Sequence, residues 1–237
     1  MRFARDDITT KIKPKEKPDF KAQANMLEGM LVKKEDGRLN VRDLLKIMHR
    51  FGDRECAGAT GLVVSAGKDP ATRKYVIGEL IDALENSTDE AEAAFVLGRI
   101  EARESIEPLI EAVKNENFLM GNLRTNAACA LGAMGVKEAI PEIAELMSNP
   151  YEAQSASAAL FKIGKESVPM LIESLKEGNT WKKQWAARTL GDFGSDAKEA
   201  LPNLKKLTGF WTRITDKEVF NAAGHAVFQI EHSASFE

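Results

Sequence analysis

The feature that most constrains this chain is a phrase it repeats. Four stretches superpose when aligned on one leucine: AEAAFVLGRI around Leu97, TNAACALGAMG around Leu131, SASAALFKIG around Leu160 and WAARTLGDFG around Leu190. A fifth, weaker copy is AAGHAVFQI around Val227. Each copy has a small residue four positions before the key residue (Ala93, Ala127, Ala156, Ala186, Ala223) and an apolar one three after it (Ile100, Met134, Ile163, Phe193, Ile230). That spacing lays one apolar stripe along a helix. Gly135, Gly164 and Gly194 then follow at the place where a helix stops on a residue with positive φ.

After each of the first four helices comes a polar link and a second apolar phrase: SIEPLIEAV, AIPEIAELM, SVPMLIESL and ALPNLKKLT. Pro108, Pro141, Pro169 and Pro202 fall in its first turn, where a missing N–H costs nothing because that donor has no intrahelical acceptor. The key positions lie 34, 29, 30 and 37 residues apart, room for two short helices and two turns but not for a βαβ crossover. One hairpin cannot bury its apolar face alone, so neighbours must stack, with alanines letting them come close. The sequence therefore predicts an all-α protein, a curved α-solenoid.

The motifs A-x-x-A-L-G and I-P-x-L resemble HEAT repeats of the short type found in phycobilisome lyase-like proteins, over roughly Glu90 to Glu231. The resemblance implies a right-handed superhelix of HEAT-like helical hairpins. Upstream, YVIGELIDALEN reads as the second helix of a degenerate unit over 53–86. Its partner RECAGATGLVVSAG is a poor helix by propensity, because of Gly58, Gly61 and Gly67. Residues 19–52 read as an N-terminal helical cap: Asp19 to about Val32 and Val41 to Phe51 are its helices, Asp36-Gly37 a turn signal and Asn40 an N-cap. Residues 1–18, with Pro14 and Pro18 among lysines, read as an extended basic arm. The solenoid is expected to run over 53–231 and to end in a flexible tail, 232–237.

Composition removes several chemistries. With 33 Lys plus Arg against 36 Asp plus Glu, the net charge of -3 gives no global reason to bind nucleic acid. The cysteines, Cys56 and Cys129, have no CxxC companion, so neither a disulfide framework nor a thiolate metal cage is indicated. Cys129 falls in an alanine-rich repeat helix and reads as a small buried hydrophobe. No apolar signal core opens the chain and no stretch of eighteen apolar residues could span a bilayer, so a cytoplasmic protein without membrane contact is expected.

GLVVSAGKD fails as a phosphate-binding loop. Gly61 and Gly67 enclose five residues rather than four, and Asp69 follows Lys68 where Ser or Thr is needed. A helix end and turn is expected instead. Metal-dependent HEAT-like enzymes such as deoxyhypusine hydroxylase carry His-Glu pairs, and this sequence has no His-Glu dipeptide. His49, His225 and His232 lie at no ligand spacing, so no metal or cofactor is expected. His49 reads as a helix-surface residue and His225 as a packing or edge residue.

The strongest candidate site is aromatic and basic. Trp181 and Trp185 sit four apart on one helix, with Lys182 and Lys183 between them and Arg188 a turn later. The long link TGFWTRITD adds Trp211 and Arg213. Trp and Arg are over-represented at binding hot spots, although Trp185 would also suit filling space between hairpins and Trp211 plugging the loop. Glu79 to Glu116 holds eleven acidic residues against three basic, while Lys165 to Lys217 holds ten basic against seven acidic, so the rod is electrically polarised.

Together these features favour a non-catalytic scaffold or adaptor. It would bind a protein or peptide on a concave face made by the second helices, where Glu111, Lys114, Glu142, Glu173 and Lys176 point outward. The resemblance also implies a bilin lyase or chaperone acting on a phycobiliprotein. A third possibility is a nucleic-acid binder resembling HEAT-like DNA glycosylases, with Trp181, Trp185, Arg188 and Trp211 on the surface and Asp192 as the acidic companion. The sequence leaves the oligomeric state open.

Overall fold

The structure, a computed structural model, describes residues 38–51, 57–86, 89–115 and 122–233. The expected basic arm, the helix from Asp19 to Val32, the Asp36-Gly37 turn and Cys56 lie outside the described residues. The chain is an all-α solenoid. Helix α1 (Val41–Phe51) precedes the pairs α2 (Ala57–Lys68) and α3 (Arg73–Asn86), α4 (Glu90–Ile100) and α5 (Ile106–Lys114), α6 (Leu123–Ala133) and α7 (Ile140–Leu146), and α8 (Ala153–Ile163) and α9 (Val168–Glu177). Then come α10 (Thr180–Phe193), α11 (Leu201–Leu207), α12 (Phe210–Thr215) and α13 (Lys217–His232). The last helix continues through His232, into the segment expected as tail. Among the described residues no helix is long and apolar enough to cross a membrane.

The repeated positions do what their spacing predicts. Ala93, Ala127, Ala156, Ala186 and Ala223 are fully buried, as are Leu97, Leu131, Leu160 and Leu190. Val227 is only partly covered. One continuous apolar core runs from Val41 in α1 to Ile230 in α13. Gly135, Gly164 and Gly194 take positive φ (67°, 106° and 54°). In the first full repeat the same position is Glu101, which adopts φ 57° without a glycine's freedom. The backbone N–H of Ala102 donates to Leu97 O and that of Val136 to Leu131 O, each 3.1 Å, closing both helices with a Schellman turn. A 3₁₀ turn precedes each second helix from α5 onward, and Pro141, Pro169 and Pro202 occupy the first positions after it.

The glycine-rich segment is a regular helix, α2, despite its low propensity, because Ala59 and Val63 are fully buried and tertiary packing outweighs propensity. Gly67 packs closely against the Ile100 side chain: a Cβ would lie 2.2 Å from Ile100 Cδ1 and displace it. The phosphate-loop lookalike is that helix followed by a turn, in which the Ala71 N–H donates to Asp69 Oδ1 at 3.0 Å. Asn40 caps α1 as expected, its Oδ1 accepting from the Asp43 N–H at 3.3 Å.

The first helices α4, α6, α8, α10 and α13 pack directly on one another along the row, whereas the second helices α5, α7, α9 and α11 touch more sparsely. The first helices thus form the more closely packed row. Glu111, Lys114, Glu173 and Lys176 do point outward, on the other face, where they form exposed ion pairs Lys114–Glu111 (2.8 Å) and Lys176–Glu173 (2.9 Å). Glu142 is half-buried.

Candidate functional site

Within the row of first helices a groove opens between α10 and α13. Asn179 caps α10, its Oδ1 accepting from the Lys182 N–H at 2.9 Å. From there Trp185, Arg188 and Asp192 follow at three- and four-residue intervals and share one stripe. On α13 the facing stripe is Glu218, Asn221, Ala222, His225 and Gln229. Asp216 caps α13 by accepting from the Val219 N–H at 3.1 Å, and the Thr180 hydroxyl donates to the same carboxylate at 2.7 Å, so one residue registers both walls. The two helices approach closely because Gly191 faces Ala226, whose Cα would lie 3.0 Å from any added Cβ.

The groove has a volume of about 480 Å³. Trp185 forms its apolar wall, partly buried against the core, and the Arg188 guanidinium lies over that indole, 5.0 Å from the ring centroid. This cation–π contact holds the guanidinium beside the indole while leaving its N–H groups to face a ligand. Partial burial pushes the Asp192 carboxyl above the ordinary aspartate range. Gln184, 5% exposed, sits beneath, with Oε1 buried and without a hydrogen-bond partner. The site thus offers a flat apolar surface, one delocalised cation, two carboxylates (Asp192 and Glu218) and the amides of Asn221 and Gln229. It has recognition groups but no pairing of a nucleophile with a base.

The structure brings Trp185 and Arg188 together in this groove and places the other candidates elsewhere. Lys182 is pinned to Glu145 of α7, two hairpins earlier, with only 12% of its side chain exposed, and Lys183 is half-buried. Trp181 is 44% exposed near the N-terminus of α10. The link expected as a loop contains helix α12, on which Trp211 is 76% exposed and meets Phe210 edge-on at 5.8 Å, while Arg213 lies over Phe220 at 6.0 Å. None of these five lines the groove.

His225, expected as a packing or edge residue, is exposed and lines it. Asn221, His225 and Gln229 were missed, although their four-residue spacing on an otherwise apolar helix is a polar stripe that sequence reading could have found. Cys129 is half-buried rather than fully buried, and burial pushes its thiol up, away from thiolate chemistry. A second groove, of about 390 Å³, lies toward the acidic end, lined by Glu85, Glu90, Glu107 and Glu111. Burial raises the Glu90 carboxyl there, and its Oε2 has no hydrogen-bond partner.

Fold and groove together define an α-helical repeat protein with an open groove between α10 and α13. Residues 76–162, from within α3 almost to the end of α8, match the family described as HEAT repeats. Among solved structures, two engineered proteins from a structural genomics consortium are each 18% identical, with TM-scores of 0.41 and 0.42, covering 81% of this chain and 96% and 98% of theirs. A third engineered protein is 20% identical with a TM-score of 0.41, over 81% of this chain and 58% of that one. No curated protein matches the chain.

Proposed function

We propose that the protein is a non-catalytic interaction scaffold that holds an extended segment of a partner protein in the groove between α10 and α13. The observation that supports this most is the Trp185–Arg188 pair set into the wall of an open groove, with hydrogen-bonding amides opposite. A flat aromatic with a held guanidinium is the kind of anchor that dominates protein interfaces. Asp192 and Glu218 favour a partner that carries a basic side chain beside its apolar one. The same two carboxylates argue against nucleic acid, since one guanidinium facing two acids makes a poor track for phosphates. The phycobilisome lyase-like type of repeat, and with it a bilin ligand, has no specific feature of the groove in its favour.

The test is affinity purification from the native cell with quantitative mass spectrometry, comparing wild type with Arg188→Glu, Trp185→Ala and Trp211→Ala. A stoichiometric partner should be retained by wild type and Trp211→Ala and fall about tenfold or more with either groove variant, the loss expected of a hot spot. Arg188 is exposed, so its substitution leaves the fold intact even if Trp185→Ala does not. A partner held equally by all four chains, or a shifted visible band on adding bilin, would overturn the proposal.

A further inference from the structure

Helix α1 meets the start of α4 through a side-chain cluster that no single stretch of sequence contains. His49 projects from the last turn of α1, with Nδ1 3.2 Å from Glu92 Oε1. Asp89 completes the group, and one donor atom from each of the three residues lies within 4.8 Å of the other two. The site is graded in exposure: Asp89 is 4% exposed, the Glu92 side chain 18% and the His49 side chain 58%. It has a buried carboxylate floor and an imidazole at the rim.

Helix capping does not account for the Glu92 carboxylate. Glu92 occupies the third helical position, from which a capping-box glutamate reaches back to the N-cap amide. Its Oε1 faces His49 instead, and its Oε2 is buried without a hydrogen-bond partner. A fully desolvated carboxylate oxygen with nothing to accept from is costly unless something else occupies its lone pairs.

A divalent cation supplies what the cluster lacks. Two carboxylates balance its charge, and an imidazole nitrogen beside carboxylate oxygens is a donor set suited to first-row transition ions rather than to calcium or magnesium. Ligand bonds of about 2.1 Å place tetrahedral donors roughly 3.4 Å apart, so the cluster needs only a modest contraction. The exposed His49 ring is the member free to make that movement. Three protein donors would leave one position for water.

We propose that His49, Asp89 and Glu92 bind a divalent first-row transition-metal ion that fastens α1 onto the repeat row. The donors come from two elements 40 residues or more apart in sequence, so the ion is held only when α1 is docked, and binding must stabilise that docking. This role is independent of the α10–α13 groove.

The experiment uses the full chain, stripped with chelator and titrated with Zn²⁺ by calorimetry and by thermal unfolding. One equivalent should bind, Tm should rise with free zinc, and the ring resonances of His49 should shift in ¹⁵N-histidine spectra. His49→Ala and Glu92→Gln should each weaken binding at least about tenfold, by comparison with the losses seen on removing even outer-shell partners, and abolish the rise in Tm. His225→Ala and His232→Ala should leave both unchanged. His49 is solvent-facing and Glu92→Gln is isosteric, so loss of fold does not confound the outcome. Absence of one-equivalent binding would overturn the proposal. So would binding undiminished in both variants, or an equal fall in Tm with and without zinc, which would mark the His49–Glu92 contact as an ion pair alone.

Discussion

Two kinds of seam join the first helices of this solenoid, and they differ at one residue. Where α4 meets α6 and α6 meets α8, the residue after the key leucine is glycine. A Cβ on Gly98 would lie 2.8 Å from Ala130 Cα, and one on Gly132 2.7 Å from Ala159 Cα. Backbone rests on backbone there, with no side chain able to yield. Where α8 meets α10 the same position is Phe161, 46% exposed, whose ring lies 5.0 Å from that of Phe193. The small residue facing that seam is no longer alanine but Thr189, buried and hydrogen-bonded to Ser157 at 2.6 Å. The glycine seams are set by steric contact. The phenylalanine seam is set by an aromatic pair outside and a hydroxyl pair inside.

The sharpest way to break this distinction is to put the same side chain at both positions. Gly132→Leu forces atoms into the Ala159 backbone and should cost about 3 kcal/mol or more, at the upper end of overpacking effects. Phe161→Leu gives up an exposed aromatic pair and should cost about 0.5–1.5 kcal/mol. Urea unfolding monitored by circular dichroism measures both. Equal losses would mean that the two seams do not differ mechanically.

The hydroxyl pair makes a directional prediction of moderate size. The Thr189 hydroxyl donates to Trp185 O at 2.7 Å, so the hydrogen between the two side chains belongs to Ser157. Thr189→Val therefore strands a buried donor and should cost about 1–2 kcal/mol, whereas Ser157→Ala removes that donor and should cost less than about 1 kcal/mol. Reversal of that order in denaturant titrations would show that Thr189 is the donor. The carbonyl it now bonds belongs to Trp185, so the same variants report on how firmly the groove's anchor is held.

The repeat, its helix stops and its buried stripe were legible because each depends on residues within one turn of one another. Glycine at the stop could be read as positive φ, and three of the four stops obey it. Glu101 breaks the rule, and Glu101→Gly should raise stability by up to about 1 kcal/mol, as left-handed strain outweighs the entropy cost of glycine. What could not be read depends on distance across the fold. Each wall of the groove has a local stripe, but the pairing of α10 with α13 and the reach of His49 to Glu92 over 43 residues have no local spacing to find. The closeness of the first helices belongs here too: the sequence carries their small residues plainly, but not that these helices stand closer together than the second helices.

Glycine itself gives the smallest and cleanest contrast. Gly61 lies in the middle of α2 with no atom within 4 Å of where a Cβ would stand, whereas Gly132 occupies a seam. In both helices alanine gains about 1 kcal/mol of helix propensity over glycine. At Gly61 nothing opposes that gain, so Gly61→Ala should stabilise by about 0.5–1 kcal/mol. At Gly132 the gain is set against a contact 2.7 Å from the Ala159 Cα, and overpacking of about 1–3 kcal/mol should leave Gly132→Ala destabilised. Opposite signs in matched thermal unfolding would separate glycine kept for close approach from glycine that the helix merely tolerates. The same sign would mean that the α6–α8 seam can open by a few tenths of an ångström, and that the close packing of the first helices is set by something other than their glycines.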